Sequence, residues 1–207
     1  FTILLVTENA ATTSSNVDSN GDLIMDSSLP WVSIVDGVGW GGTYTAQVTV
    51  LSQQIGVPDT AARMVGRNDT NAPPDWYGGD IDGSGISTSY EDVSTFTFNL
   101  PRGATLTPGQ PNFGRFAGSP MLINEVYVDP PGTDDDREFI ELINAEGGVT
   151  NLTAVWLLLI DSFTSIADTN VGTVDRAWDL SEFSTGSNGL FMIGDGYDGS
   201  PKGGPWS

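Results

Sequence analysis

Five oxygen-bearing side chains recur within one short acidic loop near the start of the chain. They are Asn16, Asp18, Asn20, Asp22 and Asp26. Gly21 lies among them, where a loop that wraps around an ion has to bend sharply. Calcium takes about six to eight oxygen ligands in proteins, and alternate spacing lets one loop present several of them to a single ion. The spacing therefore predicts a Ca²⁺ site in residues 16–26.

The same loop has a simpler interpretation. Asp and Asn side chains also accept hydrogen bonds from nearby backbone amides and so stabilise turns without any metal. The spacing departs from that of an EF-hand, because Asn16 stands at the usual position of the first Asp and no Glu follows at the twelfth position. A calcium loop and a metal-free Asx-turn loop are therefore both open.

A second acidic group stands in a turn-rich stretch further along the chain. Its members are Asp134, Asp135, Asp136 and Glu138. Adjacent like charges repel unless a cation lies near, so this group is a weaker candidate for a second Ca²⁺ site. The alternative is a solvated hairpin loop in which Arg137 offsets part of the charge.

The groups that most often carry out acid–base or nucleophilic catalysis are missing from the sequence. It contains no His and no Cys, which removes the commonest general base, zinc ligand and thiolate nucleophile. Glu138 and Glu141 come nearest to a carboxylate pair, but residues three positions apart on a strand point to opposite faces. We therefore predict that the chain is not an enzyme.

Aromatic residues suggest a different kind of site, because flat rings can stack on sugars. Trp76 and Tyr77 stand in a Pro-, Asp- and Gly-rich stretch and precede two glycines, which predicts an exposed loop platform and makes carbohydrate a candidate ligand. Trp31 and Trp156 stand within strand patterns and are predicted to lie in the core.

The overall charge argues against two classes of partner. The chain carries a net charge of -20 from 27 acidic and 7 basic residues, which repels nucleic-acid phosphates and anionic lipid surfaces. The longest apolar run, residues 154–160, is too short to span a bilayer. We predict no nucleic-acid partner and no membrane insertion, and bound cations would offset the self-repulsion of such a surface.

Short apolar or alternating segments, separated by turn residues, predict the elements that position these groups. The chain has 26 Gly and 12 Pro among 207 residues, and no segment shows a capped helical period. We predict an all-β fold of nine to eleven strands, of the β-sandwich type in one or two modules, with a break near residues 117–119. Residues 59–92 are predicted to be loop, and 178–183 a short edge strand or helical turn. The clearest strands are predicted at 1–6, 30–38, 44–51, 95–100, 121–128, 138–143, 155–161 and 189–194.

The second half of the chain resembles a known family. Residues 122–144, LINEVYVDPPGTDDDREFIELIN, resemble the opening of lamin-tail domains in secreted bacterial proteins, which has an INEV-type strand, a Pro/Gly/Asp loop and an EFIEL-type strand. Residues 152–161, LTAVWLLLID, are similar to the family's next strand. The resemblance implies an immunoglobulin-like β-sandwich and an extracellular or cell-surface location.

The first half is similar to a segment that lies downstream of that opening in the same bacterial proteins. The similarity covers residues 16–39, and residues 59–78 and 105–112 resemble the segment's continuation and its close. Block 1–117 therefore looks like the second half of a module and block 118–207 like the first half. A window cut across tandem modules, a natural permutation, and completion by neighbouring copies in a polymer all account for this order; we favour tandem or polymeric modules.

These patterns lead to two functional hypotheses. The first is a calcium-stiffened, non-enzymatic building block of an extracellular fibre, surface layer or adhesin, which self-associates. The second is a binding module appended to a secreted hydrolase such as a nuclease or phosphatase. Asn68 and Asn151 each open an Asn-x-Thr glycosylation sequon, which matters only in a host that modifies such sites.

Overall fold

A computed structural model of the chain describes residues 2–40, 48–52, 58–64, 69–83, 89–91, 97–110, 121–128, 138–161, 171–194 and 202–204. These residues form eleven strands and one 3₁₀ helix, Pro73–Asp75. Among them, no helix is long and apolar enough to cross a bilayer. The secondary structure is therefore almost entirely β, which confirms the all-β prediction.

The strands form two sheets, and every pairing except β2–β3 is antiparallel. The first sheet has five strands in the order β3-β2-β1-β8-β9, and the second has six in the order β11-β10-β7-β6-β4-β5. The strands are β1 (Thr2–Thr7), β2 (Ser33–Trp40), β3 (Thr49–Ser52), β4 (Thr60–Arg63), β5 (Trp76–Gly79), β6 (Met121–Tyr127), β7 (Phe139–Asn144), β8 (Val155–Ile160), β9 (Val174–Asp179), β10 (Leu190–Gly194) and β11 (Lys202–Gly204).

Strand β1 forms the centre of the five-stranded sheet. It pairs with β2 on one side and with β8 on the other, from Thr2↔Ile160 to Thr7↔Val155. Its four apolar residues 3–6 are fully buried, and burial of this kind contributes about 1.5–3 kcal/mol for each large aliphatic side chain. The apolar cluster on this sheet comprises Leu4, Val6, Ala11, Val17, Met25, Trp31, Leu158, Ile160 and Val174.

Strand β6 holds the middle of the six-stranded sheet, between β7 and β4. Its ladder with β7 contains a bulge, since Ile123 pairs with Leu142 but Glu125 pairs with Glu141. Asn124 is the extra residue, and a bulge of this kind re-aims side chains at the point where it occurs. A cluster rich in tyrosine packs on this sheet and comprises Ala62, Tyr77, Ile81, Tyr90, Leu106 and Tyr127.

The chain divides into two compact units, each assembled from two separate stretches of sequence. One unit combines Phe1–Gly56 with Asn151–Phe183, and the other combines Val57–Thr150 with Ser184–Ser207. The first contains the five-stranded sheet and the second the six-stranded sheet. The break predicted near residues 117–119 lies outside the described residues.

Strands from the two halves of the sequence pair directly within the chain. In the five-stranded sheet β1 pairs with β8, and in the six-stranded sheet β4 pairs with β6. The half-module order therefore does not require a neighbouring copy to supply partners for β1 and β4.

The prediction that residues 59–92 are loop was wrong. They contain β4 and β5, which pair with each other. Both are short, and all four residues of each are buried, so neither shows the alternation that marks a half-exposed strand. The strand predicted at 95–100 is reduced, among residues 97–100, to a single bridge between Phe98 and Gly78.

Candidate functional site

The base of the acidic loop is an extension of the five-stranded sheet. Ser14 N donates to Val174 O at 2.7 Å, and Val174 N donates back to Ser15 O at 2.8 Å. Val17 N then donates to Gly172 O at 2.8 Å, and the Val17 side chain is buried in the apolar cluster of that sheet. Residues 14–17 thus cover the outer edge of β9 where that strand begins.

Gly172 allows the loop to approach this closely. Its φ is +84°, and a Cβ added there would lie 2.6 Å from Asn16 Oδ1 and 2.8 Å from the backbone nitrogen of Asp18. Both the dihedral and the contact exclude a larger side chain.

Inside the loop, Asp18 is the organising residue. It is only 1% exposed. Its Oδ1 accepts a hydrogen bond from Asp22 N at 3.1 Å, and its Oδ2 accepts one from Leu23 N at 3.0 Å. Asn16 Oδ1 in turn accepts from Asp18 N at 2.8 Å. The buried carboxylate therefore draws the two ends of the Gly21 turn together.

The other three predicted ligands lie in the same loop and also bind backbone amides. Asn20 Oδ1 accepts from Asp22 N at 3.2 Å, and Asp22 Oδ1 accepts from Ile24 N at 2.9 Å. Asp26 Oδ2 accepts from Ser19 N at 3.2 Å. The hydrogen bonds expected of an Asx-turn loop are thus present. An ionised carboxylate has about four lone-pair sites, so these bonds leave acceptor capacity for a cation.

The loop does not bring its carboxylates to a single point. Within the described ranges, no three acidic side chains form a cluster that could hold a metal ion, so calcium binding by residues 16–26 stays a prediction. Of the second group, Asp134, Asp135 and Asp136 lie outside the described residues, and Glu138 is half-buried just before β7.

The prediction of an exposed aromatic platform at Trp76 and Tyr77 was wrong. Both residues lie in β5, and they are 0% and 3% exposed. The Arg63 guanidinium lies 4.5 Å from the Trp76 ring centroid, and Tyr77 Oη donates to Thr105 O at 3.4 Å. Neither ring can present a face to a sugar. Trp31 is in the core, as predicted. Trp156 is partly buried and packs against the cluster that contains Trp31.

Two buried glutamates form a second polar centre on the six-stranded sheet. Glu125 and Glu141 are opposite each other on β6 and β7 and are both 0% exposed. Cross-strand partners project from the same face of a sheet, with Cβ atoms about 4.5–5.5 Å apart. Two carboxylates placed so closely in the interior need strong hydrogen-bond donors.

The loop 105–110 and the bulge at Asn124 supply those donors. Thr107 N donates to Glu125 Oε1 at 3.1 Å, and Gly109 N donates to Glu141 Oε2 at 2.7 Å. The Asn124 amide donates to Glu141 Oε1 at 2.5 Å and to Gln110 O at 3.2 Å. The two glutamates therefore fasten the loop to the sheet.

Comparisons with known proteins add no family here. No family model, no curated protein and no solved structure matches this chain. The lamin-tail resemblance therefore remains a hypothesis that depends on the motifs alone. Three of the quoted segments meet in space: the INEV-type run contains Asn124 and Glu125, the EFIEL-type run contains Glu141, and residues 105–112 contain Thr107 and Gly109.

Sequence reasoning missed Glu125 and Asn124 as members of a site. The available signal was a charged and an amide residue inside an otherwise apolar strand, a combination that is rarely buried without partners. The sequon residue Asn151 is exposed, and Asn68 lies outside the described residues.

Burial dominates the electrostatics around the glutamates. It raises the pKa of Glu141 above its ordinary value of 4.5, and the Gly109 and Asn124 amides offset part of that rise. The pKa of Tyr77 is raised to about 12, first by burial and then by the charge of Glu125, with Thr107 acting in the opposite direction. Burial is also the main reason why the pKa of Tyr90 is raised well above its ordinary value.

The raised pKa of Glu141 predicts a pH dependence of stability. The folded chain holds this proton more tightly than the unfolded chain, so Glu141 favours folding most below pH 4.5 and less as pH rises through its folded pKa. Glu141→Gln should remove this contribution. Urea unfolding at a series of pH values should give a variant-minus-wild-type difference that changes through this window. Glu146→Gln, at an exposed turn residue, is the matched control for the loss of a glutamate. A Glu141→Gln difference that does not change with pH would contradict the prediction.

Proposed function

We propose that this chain is a non-enzymatic extracellular structural protein, a β-sandwich building block of the immunoglobulin-like type that works in an assembly. One observation carries the proposal: the buried acidic side chains bind the backbone amides of long loops. Asp18 holds the 18–23 turn, and Glu125 and Glu141 hold the 105–110 loop.

Asp75 supports the same interpretation. It is 6% exposed, and its Oδ2 accepts from Thr70 N at 2.6 Å and from Ala72 N at 3.2 Å. Acidic side chains that bind loop amides in this way make the connections between strands more rigid. Rigid loops on β-sheets are what a module needs when it packs against other copies or transmits tension.

Calcium is the second part of the proposal. The loop 16–26 offers Asn16, Asp18, Asn20, Asp22 and Asp26 as oxygen ligands, and a chain with a net charge of -20 gains from a bound divalent cation. The ion would stiffen the loop that covers the edge of β9. Assembly would then proceed between neighbouring copies or tandem modules.

Calcium should raise the melting temperature and a chelator should lower it. An ion that binds only the folded state contributes about 2.7 kcal/mol at a hundredfold excess over its dissociation constant, which for a chain of this size corresponds to roughly 5–10 °C. Differential scanning calorimetry measures the shift, and sedimentation and electron microscopy of the same samples report whether ordered assemblies form.

Asp18→Asn tests the loop directly, because it keeps the shape and removes the buried charge. It should abolish the calcium shift, whereas Glu182→Gln, an exposed residue in the same unit, should keep it. A wild-type melting temperature that changes with neither calcium nor chelator would refute the proposed calcium site. Dispersed monomers under every condition would refute assembly and favour a module appended to a hydrolase.

A further inference from the structure

The chain contains the tripeptide Ser-Asn-Gly twice, at residues 19–21 and 187–189. Both asparagines are exposed. Both side chains make the same local bond: Asn20 Oδ1 accepts from Asp22 N at 3.2 Å, and Asn188 Oδ1 accepts from Leu190 N at 3.1 Å. Two copies of one reactive sequence in the same turn make an internal comparison possible.

Asn-Gly is the dipeptide most prone to spontaneous deamidation. The backbone nitrogen of the glycine loses its proton to water and attacks Cγ of the asparagine. A C–N bond forms, ammonia leaves, and a five-membered succinimide results. Water then opens either carbonyl, giving Asp or isoaspartate, and each product carries one added negative charge. The attack requires the peptide between the two residues to rotate, so the freedom of the glycine decides the rate.

The two glycines differ in that freedom. Gly21 is exposed and has a φ of +68°, and a Cβ added to it would meet no atom within 4 Å. Gly189 is buried, and a Cβ added there would meet Asn144 O and the backbone of Gly147 and Gly148 at 3.3 Å.

Hydrogen bonds add to the difference. Gly189 N donates to Gly186 O at 2.9 Å, and its carbonyl accepts from Asn144 N at 2.7 Å. Within the described part of the chain, the Gly21 backbone makes one longer bond, from its N to Asp18 O at 3.2 Å. Rotation at Gly189 therefore has to break the start of β10, whereas rotation at Gly21 has to strain the bonds that Asp18 accepts from Asp22 N and Leu23 N, which belong to a loop and not to a strand ladder.

We infer that Asn20 is a site of spontaneous deamidation in the folded chain and that Asn188 is protected by the packing of Gly189. Conversion to Asp adds a carboxylate at the tip of the acidic loop. Conversion to isoaspartate adds a methylene to the main chain and removes the bond from Asp22 N to the Asn20 side chain. The loop thus carries a slow, irreversible covalent change that the second Ser-Asn-Gly does not.

Ageing of the full chain tests this inference. The native protein is incubated in chelator at mildly alkaline pH, and peptide mapping by mass spectrometry, with enzymatic methylation of isoaspartate, follows both sites. Asn20 should react at least about tenfold faster than Asn188, which corresponds to about 1.4 kcal/mol of difference in barrier. Because calcium is absent, the result does not depend on calcium binding.

The same incubation in urea shows whether the fold causes the difference. In the unfolded chain both tripeptides are free, so the two rates should become similar. Equal rates in the native protein, a faster reaction at Asn188, or a difference that persists in urea would each overturn the inference. In a Gly21→Ala variant the added methyl group meets no neighbour, although a φ of +68° strains it locally. Because a side chain at position 21 slows the attack on Asn20, this variant should lower only the Asn20 rate.

Discussion

Fragments 1–117 and 118–207, produced separately, should each fail to fold and should form the native β structure only when mixed. The first fragment contains β1 without β8 and β4 without β6. Residues 3–6 of β1, which are fully buried in the intact chain, would then be exposed along one entire edge. At about 1.5–3 kcal/mol for each large apolar side chain, loss of the burial of these four residues would cost up to about 6–12 kcal/mol, which is comparable to the whole stability of a typical domain, about 5–15 kcal/mol.

Far-ultraviolet circular dichroism and urea unfolding of each fragment, alone and mixed, measure the effect. A chain cleaved once at an inserted protease site within residues 111–120 is the positive control and should remain folded. Leu158→Asp in the second fragment should block recovery, because Leu158 is fully buried in the cluster that contains Leu4, whereas Glu182→Gln should not. Cooperative unfolding of either fragment alone would contradict the prediction and support two independent blocks.

Asn124→Asp should destabilise the chain by about 3–5 kcal/mol at neutral pH, the range observed when a buried charge loses its partner. The substitution keeps the shape of the side chain but replaces the amide that donates to Glu141 Oε1 with a second carboxylate. Asn124 is 0% exposed and sits on the bulge opposite Glu141, so water cannot separate the two groups.

Acid should rescue this variant. Protonation of either carboxyl restores an O–H···O hydrogen bond, so the deficit should shrink as pH falls through the pKa of the pair. Urea unfolding at neutral and acidic pH measures both values. Asn188→Asp, at an exposed residue whose acceptor function Asp retains, should change stability by less than about 0.5 kcal/mol. A deficit at Asn124 that does not depend on pH would show that packing, and not charge, causes the loss.

The strands with strong local signals could be predicted from the sequence. Runs such as ILLV in β1 and VWLLLI in β8 combine apolar and β-branched residues between turn signals. Strands β4 and β5 could not, because TAAR and WYGG are short, contain Ala and Gly, which are depleted in strands, and lie in a polar stretch. Strand β4 is placed by its long-range pairing with β6, and β5 is placed by its pairing with β4. The local sequence of β4 contains no information about the distant β6.

The candidate site divides in the same way. The acidic loop could be recognised because its predicted ligands are close together in sequence and recur at a spacing that calcium loops use. The glutamate centre was not, because Thr107, Glu125 and Glu141 come from three separate stretches. The β6–β7 register places the two glutamates opposite each other, and the loop 105–110 brings Thr107 to them. Neither contact can be read from residues that are neighbours in the sequence.

The cover that residues 14–17 place on β9 has a consequence for aggregation. Beyond Val174 the exposed strand carries Asp175, Arg176 and Asp179, charges that discourage another chain from adding to it. Val174 and the residues just before the strand, 171–173, carry no charge, and the bonds from Ser14, Ser15 and Val17 cover this part of the edge. A change that loosens the loop base would uncover the unpaired backbone groups at the start of this edge strand while the rest of the sheet is still folded, and unpaired edge groups of this kind are where another chain can add.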